Sequence, residues 1–327
     1  MLICKNHISL RLYHALLVVI CISLCTCSED EGEPSEKPLS FLSIFPDKYV
    51  MATDEGFFFT VTAKDTSGID IPDFIPKYAS SNTAVVSIEE DGRMRAEAVG
   101  TVTITARAGG QTAQATIYVG QATYNLASLG LPKVLDANFI DLSKVERISR
   151  FRSTVGHSYV DGSGETCRSM KHYYQPFWPD VDWTTVDIYA PVTGTIVGIA
   201  PDGPWGKKIL IRPRDLPSMY VMLFHVNLNP DIFTAGWLNS GQHVGKHSSN
   251  NTSSDIAIFF DSKEDGALVS YFDTMTDAVF EEYKARGASS RADFVITKEE
   301  RDADAVPCTG EQQFTVHGTL EDWVMLD

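Results

Sequence analysis

Short runs of apolar and β-branched residues fill most of the chain after residue 39. In the first part, positions 57–63, 101–106 and 113–119 alternate between apolar and polar side chains with a period of two, and turns rich in glycine and aspartate separate them. This alternation is typical of strands with one buried face. About seven such short strands in this stretch predict a β-sandwich over residues 40–120.

The rest of the chain repeats the β pattern with longer apolar runs. Positions 186–199, 219–226 and 255–260 contain runs bounded by glycine, proline or aspartate, as expected for buried strands. Toward the end, Thr274 or Thr276 can cap a helical pattern, and Thr297 begins a capping-box spacing. We therefore expect a mainly β protein with a larger β-rich domain and one or two C-terminal helices. The predicted boundaries are a connector at 121–150, with a weak helical pattern at 142–148, and a second domain at 151–327.

The first 39 residues have the pattern of an export signal followed by a tether. Lys5 and Arg11 precede a short apolar run, and the sequence Leu-Cys-Thr-Cys ends at Cys27. This resembles a signal peptide over residues 1–26 with a bacterial lipobox, which implies a lipid on Cys27 and anchoring in the outer membrane. An uncleaved anchor is the alternative. The acidic residues that follow make 27–39 a flexible tether and resemble a tag for the cell exterior.

Charge and cysteine usage narrow the functional classes. The formal net charge of −16 argues against nucleic acid as a partner, because such partners need a basic surface. Removal of the signal and lipidation of Cys27 would leave Cys167 and Cys308, an even number in an oxidising compartment. We predict a disulfide between them. The alternative is that Cys167 is a nucleophile or a metal ligand.

Candidate chemistry concentrates in the loop at 156–174. His157 and Asp161 have an H-x-x-x-D spacing, followed by Cys167 and His172. An imidazole and a carboxylate brought together suit a divalent metal such as zinc, or an acid–base pair. A hydrogen-bonded loop without chemistry is the alternative.

Two family resemblances follow from these motifs. Tyr78-Ala-Ser-Ser-Asn and the run from Gly100-Thr to Ala106 resemble the bacterial Ig-like domain of group 2, which implies a spacer or adhesion module. Between residues 156 and 262, the sequences Ala-Pro-Val-Thr-Gly-Thr-Ile-Val, Leu-Phe-His-Val and Gly-Gln-His-Val-Gly resemble the lysostaphin/LytM-type zinc endopeptidases. That family cuts peptidoglycan cross-bridges.

The second resemblance implies roles for particular residues. His157 and Asp161 match the first zinc motif and His225 matches a catalytic strand, but the later H-x-H motif is replaced by Asp255-Ile-Ala257. Alanine cannot bind metal. Either Asp255 supplies a substitute ligand, with His225 or His172 completing a catalytic site, or the groove only binds. We expect His157, Asp161, His225 and Asp255 to converge in either case.

Three functions remain open from the sequence. The resemblance favours an exported surface lipoprotein that binds peptidoglycan, an extracellular glycopeptide or another envelope polymer through an altered peptidase-like domain. The alternatives are a metal-dependent endopeptidase of the peptidoglycan-hydrolase type, for which zinc is the implied cofactor, and an adhesion or structural protein with no catalytic role.

Overall fold

The computed structural model describes residues 38–72, 74–89, 91–261 and 266–327, and residues 38–327 form one compact unit. The predicted signal segment and the lipidation site at Cys27 lie outside the described residues. Within the described ranges, no helix is both long enough and apolar enough to cross a membrane.

The first part of the chain folds into small sheets around their own core. One sheet pairs β1 with β4, a second has the order β2-β9-β8-β5, and a third has the order β3-β7-β6. Val86, Met94, Ile104 and Ile117 are fully buried between them. The strands are β1 (Leu39–Phe45), β2 (Lys48–Ala52), β3 (Gly56–Phe57), β4 (Thr60–Asp65), β5 (Lys77–Ser80), β6 (Val86–Ile88), β7 (Met94–Ala96), β8 (Gly100–Ala108) and β9 (Gln111–Gly120).

The second part is built on one large antiparallel sheet. Its main path has the order β16-β13-β14-β15-β18-β11-β10-β20, while β17 pairs with β12 and β15, and β19 pairs with β18. The strands are β10 (Val145–Ser149), β11 (His172–Pro176), β12 (Asp187–Tyr189), β13 (Gly194–Pro201), β14 (Lys207–Pro213), β15 (Met219–Leu228), β16 (Trp237–Leu238), β17 (His243–His247), β18 (Ser254–Phe260), β19 (Ala267–Val269) and β20 (Trp323–Met325). The prediction of a mainly β fold is confirmed.

Helices are short and lie mainly near the C-terminus. Thr276 accepts a hydrogen bond from the Val279 backbone at the start of α3, and Thr297 forms a capping box with Glu300 at the start of α4, as the sequence predicted. The α-helices are α1 (Leu126–Leu129), α2 (Tyr271–Thr274), α3 (Asp277–Lys284) and α4 (Lys298–Ala303), and 3-10 turns occur at Leu142–Lys144, Trp183–Thr185 and Arg291–Phe294.

The segment at 121–150 is packed as part of the larger domain. Phe139, Val145 and Ile148 are fully buried in the core beneath the large sheet. The helical pattern predicted at 142–148 is wrong, since only a 3-10 turn forms before β10 begins at Val145. Val145 and Ile148 gain more by pairing with β11 and packing against the sheet than a short isolated helix could supply.

Two polar contacts and an aromatic contact connect the two β-rich parts. The buried Arg212 guanidinium on β14 donates to both Glu55 carboxylate oxygens at 2.6 and 2.8 Å. The Val50 backbone donates to the Thr195 hydroxyl at 3.1 Å, and the Tyr118 ring stacks on Trp237. These contacts attach the first part directly to the sheet that carries the candidate site.

Candidate functional site

His225 on β15 lies at the centre of the candidate site. Its backbone has a positive φ of 59°, a conformation that non-glycine residues adopt uncommonly and that often marks functional positions. Two contacts hold it there: its N–H donates to the Asp202 carboxylate at 3.0 Å, and its carbonyl accepts from the Ser248 N–H at 2.8 Å. The β15 ladder to β14 shifts register next to this position, which turns the imidazole toward the polar centre.

The His225 imidazole lies between two carboxylates. Nδ1 is 2.9 Å from Asp202 Oδ2, and Nε2 is 3.1 Å from Asp255 Oδ1. Both contacts are at ion-pair distance, although neither has the alignment of a hydrogen bond. Asp255 is completely buried on β18, whereas the Asp202 side chain is partly exposed. The structure therefore brings together two of the residues that the sequence analysis selected, His225 and Asp255.

Lys171 occupies the other side of Asp255. Its ammonium contacts Asp255 Oδ2, and both side chains are almost fully inaccessible to solvent. Burial by itself would lower the pKa of Lys171, but the Asp255 carboxylate together with the Tyr173 and Tyr159 side chains outweighs it, so the pKa is raised. Burial would likewise raise the pKa of Asp255, but the charge of Lys171 and then His225 hold it below its usual value. The pair is therefore charged.

Three aromatic rings enclose the Lys171 ammonium. The nitrogen lies 4.4 Å from the ring centre of Phe224, 4.8 Å from that of Tyr173 and 5.0 Å from that of Tyr159. These distances are within the range of cation–π attraction. The sequence analysis did not select Lys171 for this centre. Its role depends on Asp255, which is 84 residues away in the chain.

His157 borders this centre and is half-buried. Nδ1 lies 2.9 Å from the Ser158 carbonyl, so Nδ1 carries the proton and Nε2 keeps its lone pair. Burial, followed by the nearby charge of Lys171, lowers the pKa of His157. Gly156 makes this position possible: it has φ +70°, and a Cβ there would lie 2.4 Å from the Tyr173 ring.

Asp161 and His172 are engaged elsewhere. Asp161 accepts hydrogen bonds from the backbone of Leu268 at 2.6 Å and of Ser163 at 2.9 Å, so it fastens its loop to β19. His172 is fully buried, with Nδ1 donating to the Ser149 carbonyl at 2.8 Å and Nε2 bonded to the Ser270 hydroxyl at 3.0 Å. Both ring nitrogens are thus occupied on the opposite face of β11 from Lys171 and Tyr173. The catalytic role predicted for His172 is not supported by this position.

His247 is a neighbour of the site that sequence analysis did not select. Its ring centre is 6.3 Å from that of His225, and Nε2 is 3.1 Å from the Thr252 carbonyl. Burial lowers the pKa of His247 to about 4. The Gly-Gln-His-Val-Gly motif pointed to this hairpin, but only the pairing of β17 with β15 brings His247 beside His225.

The side chains at the centre do not fit a zinc ion. Zinc sites use three or four nitrogen, sulfur or oxygen ligands. Among the described residues, no three His, Cys, Asp or Glu side chains are arranged to hold a metal. Asp255 contacts an ammonium, Asp161 is bonded to backbone amides, and Ala257 is buried in an apolar cluster with Met222 and Phe224. The expected four-residue convergence is therefore limited to His225 and Asp255, with His157 at its border.

The predicted disulfide is confirmed. Cys167 and Cys308 are bonded, with their Cα atoms 5.5 Å apart. Beside the disulfide, Glu165 accepts from Arg152 and Arg168 at 2.7 Å each, and Arg168 also contacts Asp302 of α4 at 2.7 Å. These contacts fix the loop that contains His157 and Lys171 against the C-terminal segment.

Comparisons with known proteins support the first part of the chain most directly. Residues 74–119 match the family model of the bacterial Ig-like domain (group 2). No curated protein sequence matches the chain significantly.

Similar solved structures are distant. Helicobacter pylori Csd3 is 12% identical with a TM-score of 0.33, and the alignment covers 62% of this chain and 51% of Csd3. A candidate M23 peptidase from Pseudomonas aeruginosa is 14% identical with a TM-score of 0.24, over 62% of this chain and 89% of that protein. The S-layer protein SbsC is 13% identical with a TM-score of 0.22, and the alignment covers 71% of this chain and 27% of the SbsC chain. The chain thus spans about half of the Csd3 length, and its Ig-like region is the part with a family match.

Proposed function

We propose that this chain is an exported surface protein in which an Ig-like domain presents a lysostaphin/LytM-like β-domain that binds a cell-envelope polymer. The observation that carries the proposal is the set of contacts that Asp255 makes. This residue stands at the first position of the expected metal-binding motif, but it contacts Lys171 and His225, and the second position is Ala257. A site with these substitutions is better suited to binding than to metal-dependent hydrolysis.

Export and anchoring are part of the same proposal. The signal-like start and the lipobox ending at Cys27 favour a lipid anchor in the outer membrane, with the acidic residues after it favouring the cell exterior. The Cys167–Cys308 disulfide agrees with an oxidising compartment. Labelling with a palmitate analogue, compared between the natural chain and Cys27→Ala, tests the anchor. Loss of label in the variant is the expected result, and an equally labelled variant would contradict it.

Binding and hydrolysis are separated by two assays on the same purified protein. Insoluble peptidoglycan is mixed with the protein for a pull-down, and the same material is embedded in a gel for a zymogram. We expect the protein to sediment with peptidoglycan without clearing it. Clearing that depends on added zinc would favour the metallo-endopeptidase alternative. A protein that neither sediments with peptidoglycan nor clears it would favour an adhesion or structural role. This outcome would contradict the proposal for this polymer.

Variants identify whether the site itself carries the binding. His157→Ala changes a half-buried residue at the border of the centre, whereas His243→Ala changes an exposed histidine that contacts Asp187. We expect at least a several-fold loss of peptidoglycan binding in His157→Ala and none in His243→Ala. Thermal unfolding of both variants serves as the folding control.

A further inference from the structure

The Lys171–Asp255 pair is the most deeply buried charged contact at the candidate site. The Asp255 side chain has no solvent exposure, and that of Lys171 has 3%. An isolated buried carboxylate is strongly unfavourable, so it must have a positive partner. In this centre the partner is an amino group supplied by the chain itself.

The contacts form a continuous series from the interior to the surface. Lys171 contacts one oxygen of Asp255, the other oxygen is 3.1 Å from His225 Nε2, and His225 Nδ1 is 2.9 Å from Asp202. In this series Lys171 and His225 contact different oxygens of Asp255 and do not contact each other. Its effect on the imidazole is transmitted through the carboxylate that both side chains share.

The surroundings of Lys171 suit an ammonium group better than a metal ion. The faces of Phe224, Tyr173 and Tyr159 lie 4.4 to 5.0 Å from the nitrogen. Aromatic faces attract an ammonium group, but a zinc ion needs nitrogen, sulfur or oxygen ligands at about 2.0–2.3 Å. The three rings are part of the packing of the β-domain.

We propose that Lys171 is the resident cation of this centre: its ammonium occupies the place beside Asp255 that a metal ion would need, and through Asp255 it orients His225. Lys171 is thus a positioning residue, and the centre is complete without a divalent ion. This inference does not depend on which polymer the domain binds, and it would hold even if peptidoglycan binding were absent.

The first test measures metal binding by the unaltered protein. Tag-free protein is treated with a chelator, dialysed and titrated with ZnCl₂ by calorimetry, with metal content determined after a second dialysis. We expect no retained zinc and no stoichiometric binding heat. One equivalent of zinc that is retained by the natural chain and lost in His157→Ala would overturn the proposal.

The second test examines whether Lys171 acts through Asp255. Lys171→Met and Asp255→Asn each leave one buried charge without its partner, so each is expected to lower the melting temperature clearly. The double variant Lys171→Met/Asp255→Asn removes both charges and should recover most of that loss. Lys208→Met is the matched control, because Lys208 also lies over the Phe224 ring, at 5.7 Å. A double variant whose melting temperature falls by the sum of the two single decreases would contradict the pairing.

A spectroscopic measurement separates positioning from a general effect on stability. The imidazole ¹⁵N and ¹H resonances of His225 report its environment, and they can be read in any variant that folds. We expect them to shift in Lys171→Met and to return toward the natural values in Lys171→Arg, while Lys208→Met leaves them unchanged. If Lys171→Met does not fold, the His225 resonances of Lys171→Arg and the zinc titration test the proposal in its place. Unchanged His225 resonances in a folded Lys171→Met protein would overturn the positioning role.

Discussion

Three consecutive residues around the start of β11 have very different surroundings. Lys171 and Tyr173 face the polar centre, and Tyr173 pairs with Asp255 across the β11–β18 ladder. His172 points to the opposite face, where its ring packs against Phe272. Successive side chains of a strand alternate between faces, so the two neighbours of His172 reach the site and His172 does not.

The position of His172 leads to a pH-dependent stability. Burial lowers its pKa from 6.5 to about 4, so on acidification the unfolded chain takes up a proton before the folded chain does. Stability from this residue is therefore complete above pH 6.5 and is lost as the pH falls toward 4, by roughly 3 kcal/mol. We expect His172→Gln to reduce the slope of the free energy of unfolding against pH in this window.

Urea denaturation at several pH values from 7 to 4 measures this slope. His247 contributes a similar pH dependence of the free energy of unfolding, because its pKa is also lowered to about 4. Some acid sensitivity therefore remains in the variant. His243→Gln is the matched control at an exposed position. The prediction fails if His172→Gln and His243→Gln have the same slope as the natural chain.

At the scale of elements, contacts to the C-terminal segment help to hold the loop with His157 and Lys171. The Cys167–Cys308 bond has a sequence separation of 141 residues. On α4, the fully buried Arg301 donates to the Arg152 carbonyl at 2.8 Å and contacts Asp322 at 3.2 Å. The loop therefore depends on residues that come late in the chain.

Removal of the disulfide should be measurable by denaturation. A bond that closes a loop of this length restricts the unfolded chain, so we expect Cys167→Ser/Cys308→Ser to lower the free energy of unfolding by about 2–4 kcal/mol. Urea titration without reductant gives the value. Reduction of the natural chain should lower its stability to that of the variant and leave the variant unchanged. A natural chain whose stability is insensitive to complete reduction would contradict this expectation.

At the scale of the whole molecule, a buried guanidinium is one of the contacts that join the Ig-like part to the β-domain. Arg212 contacts Glu55 across the junction and also donates to the Tyr220 hydroxyl at 2.6 Å. Because Arg212 is buried, loss of its carboxylate partner leaves a positive charge poorly compensated. The junction therefore couples the stability of the two parts.

Glu55→Ala tests this coupling. We expect it to lower the free energy of unfolding by about 1–2 kcal/mol, a value reduced by the partial exposure of the Glu55 side chain. Asp215→Ala removes the partner of Arg214 in an exposed ion pair and should change stability by less than about 0.5 kcal/mol. Urea denaturation of both variants provides the comparison, and equal effects would argue against the junction as a stabilising contact.

Part of the fold could be predicted from local patterns in the sequence. Period-two alternation located β4, β8 and β9, and apolar runs located β12, β13, β15 and β18. The threonines at 276 and 297 marked the starts of α3 and α4. The cysteine count, together with the signal-like start, predicted the disulfide. Side-chain periodicity and capping chemistry depend on residues that are close in the sequence, and composition needs only a count of residue types.

The sequence by itself determined a mainly β chain with an Ig-like region and drew attention to His157, His225 and Asp255. Only the tertiary structure showed that Lys171 is the partner of Asp255, that Asp161 binds the backbone of Leu268, and that His172 is enclosed on the other face of the sheet. The physical reason is that burial, charge pairing and strand register depend on which distant segments meet. Motif spacing records residue types, but it does not record which charge lies next to a carboxylate in the folded protein.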